Sequence, residues 1–305
     1  MRALLIIVCG LLAVPAWAQK PIIGVAGGGY ESRSVRYAMA SIWEAGGYPI
    51  LLDTRAPERV RQHVGALNGV IIAGNSLDIN PKDYGARQVH PKTVNEETHA
   101  SNAWDAKRDD YEYALIALVT QKHIPFLGIC SGAQRLNVAG GGSLAQHING
   151  QMVVSEAQLP HQPIMPLAMV EGSRVARIVA SRSFADNSLH HQHIEQVREG
   201  FRVAARDVTS GITEAIEPSP NSHYASHPFL IGVQWHPEYG ATRESQRLIA
   251  ALVQAAKDHA HTHPVSESEA LAIDASLPPL RPLVRLGVKG MRAQLGYSQP
   301  AWVRQ

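Results

Sequence analysis

Apolar residues recur along this chain in short unbroken runs, each ending in glycine or leading into a stretch with helical spacing. Ile22-Ile23-Gly24-Val25-Ala26 is the first such run and predicts a strand buried on both faces. Val35, Met39 and Ile42 then repeat at helical intervals between Ser34 and Glu44, and Gly46-Gly47 closes that helix. Pro49-Ile50-Leu51-Leu52 and Gly69-Val70-Ile71-Ile72-Ala73 predict two further strands. Leu115, Ile116, Leu118 and Val119 mark a helix over 110–121, followed by a strand at Pro125-Phe126-Leu127-Gly128-Ile129. This alternation predicts an α/β fold, an open, mostly parallel sheet with helices on both faces. From Val153 to Glu217 the pattern changes to short strands with many turns, which reads as a small antiparallel extension of the same domain. Leu230 to Trp235 supplies one more core strand, Thr242 to His259 a closing helix, and no internal repeat is present.

The two ends do not follow this pattern. Met1-Arg2 gives one positive charge, Ala3 to Ala16 is uncharged and almost wholly apolar, and Ala16-Trp17-Ala18 reads as a cleavage site before Gln19. Residues 1–18 are therefore expected to be a signal peptide, 19–260 the folded domain and 261–305 a linker with a basic tail, and the expected location is periplasmic. In the tail, Leu277-Pro278-Pro279-Leu280-Arg281-Pro282 predicts an extended linker. Val284, Val288, Met291 and Leu295 then fall at helical spacing beside Arg285, Lys289 and Arg292. Such a segment suits weak contact with an anionic membrane surface or an acidic partner; a tail that docks on its own domain or stays unfolded is the alternative.

Composition narrows the classes. At 305 residues with a formal charge of +2, no field argues for nucleic acid. Two cysteines exclude a disulfide scaffold and a multi-cysteine zinc site. Cys9 falls in the expected leader, so Cys130 is the one thiol of the mature chain, either buried and inert or reactive.

Its setting favours reactivity. The strand at 125–129 runs into Gly128-Ile129-Cys130-Ser131-Gly132 and then a helical start at Ala133-Gln134-Arg135-Leu136, a G-x-C-x-G turn between strand and helix. Glycines allow the tight turn, the turn lifts the side chain above the sheet edge, and the helix N-terminus favours thiolate over thiol. A nucleophilic thiol needs a base and a group to orient it. His236 and Glu238 lie two residues apart around Pro237 at the end of the last core strand, where an extended chain would place them on one side.

The run from Gly128 to Val138, with Gly141-Gly142-Ser143-Leu144 after it, resembles the nucleophile region of class I glutamine amidotransferase-like hydrolases, and Val233-Gln234-Trp235-His236-Pro237-Glu238 resembles their His–Glu end. Arg108-Asp109-Asp110-Tyr111-Glu112, Asn187-Ser188-Leu189-His190-His191-Gln192 and Glu214-Ala215-Ile216-Glu217 are similar to motifs of the γ-glutamyl hydrolase branch, peptidase C26-like, which includes γ-glutamyl-γ-aminobutyrate hydrolases. The resemblance spans about residues 21–255. It implies a flavodoxin-like fold, a small-molecule γ-glutamyl substrate, no cofactor, and a Cys130–His236–Glu238 triad acting through a thioester. It also implies an oxyanion site at the Ser131 amide and Gly74-Asn75, with Gln134, His190, His191 and Gln192 around the substrate. This chain departs from the branch at Asn75, where a second glycine is usual, and at Ser131, where arginine is frequent. A plain turn at Gly74-Asn75 is the competing reading.

Other clusters read less specifically. His190 to His193 imitates a metal site, but the spacing is wrong for separated imidazole ligands and no acidic ligand adjoins them, so no metal is expected. Gly24 to Gly29 lacks the dinucleotide-binding spacing. Arg108, Asp109 and Glu112 fit either a substrate region or an ion-pair cluster. A homodimer is compatible with the sequence. The alternatives to a stand-alone hydrolase are a catalytically silent binding protein and a glutaminase-type amidotransferase subunit; the presence of all three triad residues argues against the first, and the absence of a synthetase segment against the second.

Overall fold

The structure, a computed structural model, describes residues 20–90, 104–148, 164–187 and 189–265. The expected leader, most of the tail and Ser188 lie outside the described residues.

The chain opens with β1 (Ile22–Ala26), α1 (Arg33–Glu44), β2 (Tyr48–Leu51), a short α2 (Val60–Gly65) and β3 (Gly69–Ile72). Next come α3 (Ala106–Gln121), β4 (Phe126–Ile129), α4 (Ser131–Val138) and β5 (Ser143–Ala145). The second half holds β6 (Ile164–Met169), α5 (Arg174–Val179), β7 (Ser183–Asn187), β8 (His193–Gln196), β9 (Phe201–Asp207), β10 (Thr213–Pro218), β11 (Leu230–Val233) and α6 (Arg243–Thr262). Side-chain oxygens that start the helices explain where they begin. Ser32 accepts from the Val35 amide, Asp105 from Lys107 and Arg108, and Thr242 from Ser245.

One mixed sheet runs in the order β2-β1-β3-β4-β11-β10-β9-β6-β7, with β8 pairing both β10 and β5. The segment from β2 to β11 is parallel, and everything beyond β11 is antiparallel. The order 2-1-3-4 reverses direction between β1 and β3, the kind of switch point at whose carboxyl edge α/β proteins bind ligands. The antiparallel extension expected from the turn-rich stretch continues the same sheet. Besides short strands it contains the helix α5, whose one-and-a-half turns carry too few apolar positions to signal a period.

Strand alternation builds two cores. Ile23, Val25, Ile71, Leu127, Ile129, Ile231 and Val233 face α1, α5 and α6. Ile22, Val70, Ile72, Phe126 and Leu230 face α2, α3 and α4. Because both faces are covered, the strands read as continuous apolar runs in the sequence.

Candidate active site

Cys130 sits between the end of β4 and the first residue of α4 with φ 51° and ψ −110°, a backbone that few non-glycine residues adopt. Its amide donates to the Val233 carbonyl at 2.8 Å, tying the turn to β11. The glycines on either side let helix and sheet approach. A Cβ on Gly128 would stand 2.6 Å from the Gly132 backbone, and one on Gly132 would collide with the Ile72 carbonyl. The elbow foreseen in the sequence is thus a packing requirement of α4 on β3 and β4.

His236 and Glu238 reach the same edge from the end of β11. His236 Nδ1 lies 2.7 Å from Glu238 Oε1, and both side chains are buried. The contact is not made along an extended strand, as the two-residue spacing suggested. β11 ends at Val233, and Pro237–Tyr239 forms a 3-10 turn that folds the carboxylate back onto the ring. Burial opposes a charge on His236, but the Glu238 carboxylate and the Cys130 side chain outweigh it and hold the ring's pKa well above its usual value. Gly74 closes the group: a Cβ there would lie 2.7 Å from His236 Cε1 and 3.0 Å from Cys130 Cβ. The Cys130 sulfur lies 3.9 Å from the Leu189 carbonyl.

A residue that sequence reasoning missed completes the pair. Ser34 Oγ donates to Glu238 Oε1 at 2.6 Å across 204 positions of sequence, from the first turn of α1. A serine near a helix start reads as a cap in sequence, so nothing local pointed to it. Asp186 is a second missed residue. Buried beneath the site, it accepts from Ser245 Oγ (2.5 Å), Thr242 Oγ1 (2.8 Å) and the Asn187 amide (2.7 Å).

The remaining expected residues take varied positions. Asn75 is not in the left-handed region, so the turn asks for no glycine there. Its amide donates to Ser131 Oγ at 3.2 Å, and its own side chain accepts from the Leu77 amide. Gln134 Nε2 donates to the Gln192 carbonyl (2.9 Å) and to Gln234 Oε1 (3.1 Å), while Gln192 Oε1 accepts from the Ile79 amide. Gln134 and Gln192 are buried and pin the loops around the elbow. His190 Nε2 faces Glu214 Oε1 at 3.3 Å, whereas His191 Nε2 meets Asp78 Oδ1 at 2.7 Å and keeps a partly exposed side chain. The neighbouring histidines therefore turn to separate partners, and no group of three or more His, Cys, Asp or Glu arranged for a metal occurs among the described residues. Arg108, Asp109 and Glu112 belong to a buried ion network with Arg135, between α3 and α4. A cavity of about 750 Å³ lined by Tyr113, Thr120, His123, Arg198, His223 and Tyr224 includes none of the expected site residues.

Asp186 gives a stability prediction. Burial raises its pKa to about 6 against its three hydrogen-bond donors, so the folded state holds the proton more tightly than the unfolded chain. Stability from this group is full below about pH 4 and is lost as pH rises to about 6, a loss of roughly 2–3 kcal/mol. Asp186→Asn is expected to remove that step and to be about 1–2 kcal/mol more stable at pH 7. Urea unfolding of both forms at pH 4.5 and 7 checks it; a variant whose midpoint stays below wild type at pH 7 would refute it.

The Peptidase C26 family pattern matches residues 21–238. The γ-glutamyl-γ-aminobutyrate hydrolase PuuD of Escherichia coli K12 is 30% identical over 260 residues, covering 79% of this chain and 95% of that protein. A candidate glutamine amidotransferase of Mycobacterium tuberculosis is 35% identical over 220 residues, 71% of this chain, and the chain spans 65% of that protein's length. The solved structure of a candidate GMP synthase subunit from Thermoplasma acidophilum matches with a TM-score of 0.54 at 14% identity, over 80% of this chain and 97% of that one, a likeness of fold. On these matches the chain belongs to the peptidase C26 family, within the class I glutamine amidotransferase-like proteins and related to the γ-glutamyl-γ-aminobutyrate hydrolases.

Proposed function

We propose that this chain is an exported cysteine hydrolase that cleaves γ-glutamyl amides, with Cys130 as nucleophile, His236 as acid and base and Glu238 as the group that orients it. The observation that carries the reading is the buried 2.7 Å contact of His236 with Glu238 beside a cysteine held on a strained elbow. Cys130 passes its proton to His236 as its sulfur adds to the γ-carbonyl carbon, and the carbonyl electrons move to oxygen. The C–N bond then breaks as His236 protonates the departing nitrogen, leaving a γ-glutamyl thioester. Water gives a proton to His236 as it adds to the thioester carbonyl, and the C–S bond then breaks as His236 passes that proton to sulfur, so that glutamate leaves and the thiol is restored. The high pKa of His236 favours the protonated ring that the first half of this cycle consumes. His191, the least buried of the 190–192 trio, is the one best placed to meet substrate, with Gln134, His190 and Gln192 supporting the pocket wall. The apolar leader at 1–18 supports export to the periplasm, and a hydrolase that needs no cofactor suits that compartment.

The test is mass spectrometry of the mature protein quenched soon after mixing with a panel of γ-glutamyl amides and peptides. An adduct of one γ-glutamyl group on the Cys130 peptide, with release of the amine, is expected. An unmodified thiol in a protein that still binds the panel would overturn the hydrolase and leave a binding protein.

Ser34 adds a quantitative expectation. Without its hydroxyl, Glu238 loses a short donor in a place that water does not reach, and the His236 ring loses part of its orientation. Ser34→Ala is expected to lower kcat about tenfold with little change in KM, and Ser34→Thr to restore most of it. Steady-state kinetics of the two variants decide; an unchanged kcat in Ser34→Ala would remove Ser34 from the mechanism.

A further inference from the structure

Resting on the hydrolase reading, we infer that the Ser131 hydroxyl is itself a catalytic donor to the oxyanion. It would link the Asn75 amide to the reacting oxygen, where a direct contact from that amide would be expected.

The amide of Asn75 is already engaged. It donates to Ser131 Oγ at 3.2 Å, so in the resting site it does not point at the place where an oxyanion forms. Serine oxygen has two lone pairs and one hydrogen, and accepting from Asn75 leaves the O–H hydrogen to be directed elsewhere. Ser131 is the first residue of α4, directly after the nucleophile, and is 2% exposed. Its surroundings border the sulfur: the loop carrying Gly74 and Asn75 packs so closely that a Cβ on Gly74 would lie 3.0 Å from Cys130 Cβ. The Ser131 amide, in the first turn of α4, has no acceptor within the helix. Amide and hydroxyl of one residue thus present two donors to one developing charge. An N–H donating into an O–H that donates onward polarises it, which makes the hydroxyl a stronger donor than an isolated serine. The side chain also accounts for a departure of this chain from the pattern it resembles. Asn75 need not present a glycine-like backbone if Ser131 carries the contact, and Asn75 is indeed outside the left-handed region.

The experiment compares wild type, Ser131→Ala and Ser131→Thr on two reactions. Hydrolysis of a chromogenic γ-glutamyl anilide passes through an oxyanion. Alkylation of Cys130 by iodoacetamide displaces iodide at a saturated carbon and forms none. Ser131→Ala is expected to lower kcat about 100-fold, the lower end of the range for losing one oxyanion donor, with KM within twofold of wild type. Its alkylation rate is expected to stay within twofold, and Ser131→Thr to keep kcat within about fivefold of wild type. A kcat at or above wild type in Ser131→Ala would overturn the inference, since the freed Asn75 amide would then be the donor. A parallel fall in kcat and alkylation would overturn it too, because Ser131 would be acting on the thiol or the fold. If Ser131→Ala does not fold, Ser131→Gly removes the same hydroxyl and is read by the same criteria. A wild type that is alkylated but hydrolyses no γ-glutamyl compound would overturn the hydrolase reading and this inference together. An active wild type matched by Ser131→Ala would overturn this inference alone.

Discussion

Cys130→Ala and His236→Ala are each expected to lower γ-glutamyl hydrolysis by about 10⁵-fold, and the double variant to be no slower than either single one. The reason is geometric. On the proposed mechanism, sulfur without the ring lacks a proton acceptor and a donor for the leaving nitrogen, while the ring without sulfur has nothing to activate. Each group is useless without the other, so the second loss costs nothing further. Residual rate in all three should reflect binding and oxyanion contacts alone. Glu238→Gln should fall less, about 10³- to 10⁴-fold, because the ring remains but its Nδ1 partner no longer fixes the tautomer. Steady-state and single-turnover rates measure the set, with thermal melts showing that the variants fold. Independent losses that multiply in the double variant would show that Cys130 and His236 do not act as one unit. A Cys130→Ala variant within tenfold of wild type would refute the thiol's role altogether.

Much of this site was readable because its strongest constraints are local. Gly128 and Gly132 are forced by the approach of α4 to β3 and β4, and such forcing leaves a five-residue signature. The parallel strands were equally legible, since burial on both faces writes continuous apolar runs. What stayed hidden depends on contacts between distant segments. Ser34 and Glu238 are 204 residues apart, and neither residue type announces the other. Asp186 carries no local signal, because Thr242 and Ser245, the hydroxyls it accepts from, lie 56 and 59 residues away at the start of α6. The His236–Glu238 pairing was foreseen by spacing, yet the chain achieves it with a turn where extended backbone was expected, because Pro237 begins a 3-10 segment. His190 to His193 shows the converse. Adjacency in sequence imitated a metal site that the spacing argued against, and His190 and His191 turn to Glu214 and Asp78 respectively.

The ion network between α3 and α4 separates a structural from a catalytic reading of Arg108, Asp109 and Glu112. Arg135 is fully buried on α4; its Nε lies 2.9 Å from Glu112 Oε2, and its Nη2 meets Asp109 Oδ1. Arg108 Nε adds a 2.7 Å contact with Glu112 Oε1. Two cations thus balance two carboxylates inside the helix–helix contact. Arg135→Ala would leave Asp109 and Glu112 sharing Arg108 alone, in a place where water cannot replace the lost partner. The expected cost is about 3–5 kcal/mol, seen as a lower urea midpoint. Arg135→Met with Asp109→Asn leaves one cation, Arg108, against one carboxylate, Glu112, and should recover a large part of that loss. Because the network does not touch Cys130, His236 or Glu238, kcat of folded Arg135→Ala is expected to stay within about threefold of wild type, far from the loss that follows removal of a reacting group. The opposite pattern, a stable Arg135→Ala protein with kcat down by orders of magnitude, would move these residues from the scaffold to the substrate. The charged motif ahead of the nucleophile strand would then be part of the active site.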